Sequence, residues 1–101
     1  MQAGSTVSEG GLGEFAEHEL MWEILQELHR ARTKFPGNNV TMLALMDEVG
    51  ELAKASFEEP AANVRKEAVQ VAVMAIRMVM DGDQTLDGWR AARGLDALGG
   101  A

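Results

Sequence analysis

The chain has no cysteine, only two prolines, and 9 lysines and arginines against 16 aspartates and glutamates. Without cysteine there is no disulfide, no thiolate nucleophile and no cysteine-ligated zinc or iron–sulfur centre. The shortage of cations leaves a net charge of −7. A nucleic-acid polymer is therefore not an expected partner, because neutralising a phosphate backbone needs a cationic face. A small anionic substrate remains compatible with this charge if a metal ion screens it. Long apolar runs are also missing. The longest, Ala68 to Met80, is interrupted by Gln70 and Arg77 and falls short of the roughly 20 apolar residues of a bilayer crossing. The first residues lack the basic-plus-apolar pattern of a secretory signal. No membrane association and a cytoplasmic location are expected.

What is present suits one globular domain: 101 residues, 47% of them hydrophobic. Residues 1–13 are rich in Gly, Ser and Gln and cannot bury enough surface to offset their ordering entropy, so they are expected to form a mobile tail. Residues 94–101, with three glycines, are expected to form a second. Between them, residues 14–93 carry helical periodicity and no strand alternation. A first helix is predicted over Glu14 to Thr33, with Met21, Ile24, Leu25, Leu28 and Ala31 on its apolar face. The breaker cluster Phe35-Pro36-Gly37-Asn38-Asn39 ends it. A second is predicted over Val40 to Phe57, capped by Asn39 or Thr41, with Met42, Leu45, Met46, Val49, Leu52, Ala53 and Phe57 inward. A third runs from Pro60, suited to a first helical turn, to Asp81, with Gly82 as its stop. A short fourth helix is predicted near Leu86 to Arg93. The third helix is apolar on most of its circumference, which implies burial on all sides. Three helices do not enclose it, so a homo-oligomer, dimer or tetramer, is expected to complete a four-helix environment.

The chemistry-bearing residues are Glu48, Glu51, Glu67 and Gln70. Glu48 and Glu51 are three apart and share one side of the second helix with Ala44 and Ala55. Glu67 and Gln70 repeat the spacing on the third, on a strip continued by Met74 and Arg77. The short Glu58-Glu59-Pro60 connection makes the two helices antiparallel neighbours. Counted from Glu59, Glu51 and Glu67 are each eight residues away, and Glu48 and Gln70 eleven. At about 1.5 Å per residue each pair sits at a matching height. Crowded carboxylates repel unless a cation neutralises them, and an all-oxygen set suits Mg²⁺ or Mn²⁺. Glutamates at this spacing are also common on solvated helix faces.

The run Phe35 to Asn39, then Leu45-Met46-Asp47-Glu48-Val49-Gly50-Glu51-Leu52-Ala53-Lys54-Ala55, then Glu67-Ala68-Val69-Gln70-Val71-Ala72 resembles the all-α nucleoside triphosphate pyrophosphohydrolases, the MazG-like and dimeric dUTPase-like family. Their signature is Glu-x-x-Glu on one helix and Glu-x-x-Asp on the next, and the resemblance spans roughly Glu19 to Asp83. It implies an antiparallel helical bundle and hydrolysis of a nucleotide at the α–β phosphate linkage, giving monophosphate and pyrophosphate. It also implies Mg²⁺ held by Glu48, Glu51 and Glu67, with Gln70 completing the shell directly or through water and Glu51 orienting the attacking water. Gln70 departs from the pattern: its amide can ligate a metal but adds no charge and cannot act as a base.

Lys54, one turn past Glu51, and Arg77, two turns past Gln70, are candidates for substrate oxygens. For Lys54 a solvated pairing with Glu51 is the plainer reading. Trp22 shares a strip of the first helix with His18, Leu25, His29 and Arg32 and is a candidate to stack on a base. A core-edge tryptophan is the plainer alternative. A non-catalytic helical dimerisation or binding module, retaining the fold and a residual metal site, is the alternative to the enzyme.

Overall fold

The computed structural model describes residues 9–36 and 42–97, and side-chain environments from residue 15 onward. The fold is all-α. Helix α1 spans Glu9–Lys34, α2 Met42–Glu58 and α3 Ala61–Met80; a 3₁₀ turn at Gln84–Leu86 leads into the short α4, Asp87–Ala91. No helix among the described residues is long and apolar enough to cross a membrane.

Helix α1 starts at Glu9, inside the segment expected to be a tail. The proposed caps Asn39 and Thr41 lie outside the described residues. The N-terminal amide of α2 nevertheless has an acceptor: Met42 N–H donates to Asp83 Oδ2 at 2.6 Å. Asp83 also accepts from the Thr85 amide at 2.9 Å and from the Thr85 hydroxyl, so one fully buried carboxylate caps two elements. Pro60 flanks α3 in extended conformation (φ −62°, ψ 155°), one position before the helix proper. At the other end, the amides of Asp81 and Gly82 both reach back to the Arg77 carbonyl, at 2.7 and 3.3 Å. Gly82 takes φ 75°, a left-handed conformation that costs glycine little.

Helix α3 is the hub. It packs against α2 on one side and α1 on another, while α1 and α2 do not pack on each other. The α1–α3 contact is the apolar core: Leu28, Val69 and Val73, flanked by Leu20, Ile24, Ala31 and Ile76. Met21 and Leu25, expected on that face, are instead about half exposed, at 55% and 52%. Leu20 joins Ile24, Leu28 and Ala31 of the expected face in their place.

Helix α2 is rotated from the orientation its apolar pattern predicts, keeping only Leu45 and Leu52 of that face inward. The residues it presents inward are Ala44, Leu45, Glu48, Leu52 and the fully buried Ala55. Met42, Met46, Val49, Ala53 and Phe57, expected in the core, are exposed, Phe57 at 89%. Alanines let the helices approach closely, and this brings the Glu48 strip against α3. The radius of gyration is 17.1 Å, against about 13 Å for a compact domain of this length.

Candidate functional site

Because α1 and α2 both rest on α3 without touching, a cleft opens between them. Its volume is about 600 Å³, and Gln70, Met74 and Arg77 of α3 form its floor. The α1 wall supplies Arg30, Ala31, Lys34, Phe35 and Pro36; the α2 wall supplies Ala44 and Glu48. The cleft is chemically divided: cations and an aromatic ring on one wall, a carboxylate on the other. Lys34 lies over the Phe35 ring, with its ammonium 5.4 Å from the centroid.

Glu48 faces Glu67 across the α2–α3 interface. Burial pushes the Glu48 carboxyl above its ordinary range, and the nearby Glu67, Asp47 and Glu51 charges push it further, as does a hydrogen bond shared with Glu67. The sequence register paired Glu48 with Gln70 and Glu51 with Glu67 by height. The structure brings Glu48 to Glu67 and places Glu48 and Gln70 in one cleft, while Glu51 is exposed. Among the described residues no three acidic or imidazole groups gather closely enough to form a metal-binding group. Two carboxylates do converge, and Mg²⁺ is commonly held by one or two carboxylates together with substrate phosphates and waters. The donor set therefore fits a hard cation that shares its shell with a substrate.

Gln70 turns towards α1: its amide donates to Glu27 Oε2 at 2.7 Å. Glu27 also accepts from Arg30 through Nε at 3.0 Å and through a second guanidinium nitrogen. Arg30 and then Gln70 hold the Glu27 carboxyl below the usual carboxylate range. Glu27 and Arg30 were missed in the sequence because they lie on α1, far from the acidic motif. Their i, i+3 spacing on the polar face was the available signal. Arg30 and Gln70 also line a second cleft of about 460 Å³, on the other side of Glu27, with Glu23, Gln26, Ala62, Arg65, Lys66 and Val69. An exposed ion pair, Arg65 to Glu23 at 2.7 Å, crosses from α3 to α1 there.

Arg77 is buried at 3% exposure. It donates to the Phe35 carbonyl at 2.7 Å, to the Ala31 carbonyl at 3.5 Å and to Asp81 Oδ2 at 3.2 Å. Arg32 grips the same Asp81 with two nitrogens, at 3.2 and 2.8 Å. Arg77 is thus on the cleft floor with donors committed to the end of α1. Lys54 is exposed on α2. Trp22 is 59% exposed on α1 and lines neither cleft.

Compared with family models, curated proteins and solved structures, the chain matches none.

Proposed function

We propose that this chain is a Mg²⁺-dependent nucleotide pyrophosphohydrolase, cleaving a nucleoside triphosphate or similar nucleotide to the monophosphate and pyrophosphate. The observation that carries the reading is a cleft with Glu48 on one wall and Arg30 and Lys34 on the opposite one, the Glu67 charge lying near enough to raise the Glu48 carboxyl. Like charges held together are costly unless a cation joins them, and a phosphate chain is the ligand that bridges a cation to arginine and lysine. The resemblance of the Glu48–Glu51 and Glu67–Gln70 segments to the MazG-like pyrophosphohydrolases supports the same chemistry.

In this reading Glu48, Glu51 and Glu67 would hold Mg²⁺, or Mn²⁺, with Gln70 completing the shell, and the ion supplies charge neutralisation and polarisation of a phosphoryl oxygen. Exposed Glu51, outside the Glu48–Glu67 contact, orients the attacking water. That water gives up a proton to solvent as its oxygen bonds to the α-phosphorus and the bond to the bridging oxygen breaks, and pyrophosphate departs. Phe35, Pro36 and Met74 give the nucleoside an apolar wall, and Lys54 and Trp22 serve substrate only if a second subunit brings them to the cleft. The exposed face of Met46, Val49 and Phe57 on α2, with Met21, Trp22 and Leu25 on α1, supports a homo-oligomer, dimer or tetramer. A cytoplasmic setting accords with a nucleotide substrate.

The test is pyrophosphate release from a panel of canonical, deoxy and modified nucleoside triphosphates with Mg²⁺ and with Mn²⁺. Release by the wild type that disappears in Glu48→Gln is the expected result. No release from any substrate with either metal would favour a non-catalytic helical module.

A further inference from the structure

Between the two clefts, the Gln70 side chain is held by a single carboxylate on α1. We propose that Glu27 is the positioning residue of the metal site: it fixes Gln70 so that the amide presents its oxygen to the cleft. This rests on the metal-dependent reading above. A glutamine amide has a donor end and an acceptor end, whereas an ionised carboxylate only accepts. Glu27 therefore selects the donor end, and the 2.7 Å bond from Gln70 Nε2 realises that choice. Gln70 lines both clefts, and the proposal gives its acceptor end to the one it shares with Glu48. With the amide reversed, its N–H groups would oppose any cation at Glu48.

Arg30 completes the device. Its guanidinium takes both Glu27 oxygens, and the Glu27 side chain is only 19% exposed, so the carboxylate has little freedom to release the amide. Two helices are thereby coupled: the hydrogen-bond acceptor is on α1 and the ligand oxygen on α3. Groups that orient metal ligands in this way typically alter metal affinity by about tenfold or more when removed.

Mn²⁺ is the probe, titrated by calorimetry and followed by electron paramagnetic resonance on the full chain, alone and with inorganic phosphate to complete the shell. Glu27→Ala and Gln70→Ala are each expected to weaken Mn²⁺ binding about tenfold. The double variant is expected to be no weaker than either, because Glu27 acts through Gln70. Glu23→Gln removes the same charge from α1 but touches Arg65 rather than Gln70, and is expected to bind as the wild type does. If Glu27→Ala melts at the working temperature, Glu27→Gln, which keeps an acceptor oxygen but no charge, replaces it and is expected to show a smaller loss. Unchanged affinity in the Glu27 variants, or additive losses in the double variant, overturns the proposal while the metal reading stands, provided Glu48→Gln abolishes binding. A wild type that binds no Mn²⁺ with or without phosphate, or a Glu48→Gln that binds normally, overturns both.

Discussion

The guanidinium of Arg77 on α3 donates to the main-chain carbonyl of Phe35 at 2.7 Å, tying the end of α1 to the floor of the cleft. The carbonyls at a helix C-terminus have no partners within the helix and carry partial negative charge. A buried arginine answers both needs. Arg77→Met is expected to cost about 2–3 kcal/mol, because it orphans the Phe35 carbonyl and removes one of two arginines from Asp81. Chemical denaturation reads the loss. A variant as stable as the wild type would show that Arg77 is held for substrate rather than for α1.

Glu48→Gln is expected to stabilise the metal-free protein at neutral pH. Burial first, and Glu67 next, hold the Glu48 carboxyl above its ordinary range. The folded chain therefore binds that proton more tightly than the unfolded chain does. Stability from this group is full below the ordinary carboxylate range and is lost as pH rises through the raised value. Discounted for its partial exposure, the relief in the variant is about 0.5 kcal/mol, or about 2–4 °C in Tm. Thermal melts at pH 4 and pH 7 with and without Mg²⁺ check the sign. The gap between variant and wild type should open with pH and close when Mg²⁺ is added.

Asp83 has the opposite linkage. Burial pushes its carboxyl up, but hydrogen bonds from Thr85 and the Met42 amide outweigh this and leave it below the usual range. Its contribution is present above the ordinary aspartate range and is lost as pH falls through the depressed value. Asp83→Ala is expected to cost about 2 kcal/mol at pH 7, by uncapping α2 and the 3₁₀ turn together. The difference from wild type should shrink under strongly acid conditions.

Phe57, 89% exposed on α2, distinguishes a lone chain from an assembly. If the chain assembles as proposed, Phe57→Glu is expected to lower the mass in light scattering, to lower Tm and to remove the concentration dependence of Tm that the wild type shows. In a monomer the same substitution would leave both mass and melting temperature unchanged.

Filling the cleft should block it. Met74→Trp adds bulk to the cleft floor and is expected to raise the KM for a nucleotide at least tenfold with little change in Tm. Trp22→Ala, on the exposed side of α1, is the companion. An effect on KM from Trp22→Ala alone would place the base at a subunit boundary and not in this cleft.

The helices, their order and the antiparallel α2–α3 hairpin were legible in the amino-acid sequence, because periodicity, Pro36, Pro60 and Gly82 act locally. The three-residue spacings put Glu48 beside Glu51, and Glu67 beside Gln70, on single helix faces, which follows from helix geometry alone. The rotation of α2 was not legible. Its most apolar face points outward because close approach to α3 favours the alanines at 44 and 55, and a face left exposed in one chain carries no mark of what covers it.

Sequence by itself determined an all-α chain of net charge −7, with Glu48 and Glu51 paired on one helix and Glu67 and Gln70 on the next. Tertiary structure decided which acids meet and which side chains surround them. It set Glu48 against Glu67 and moved Gln70 onto Glu27. It turned Arg77 into a clamp on α1 and gave the end of α2 a cap from Asp83. Each of these contacts joins residues far apart in the chain. They depend on the angle and offset at which helices pack, which side-chain volume and close approach settle and no local pattern encodes.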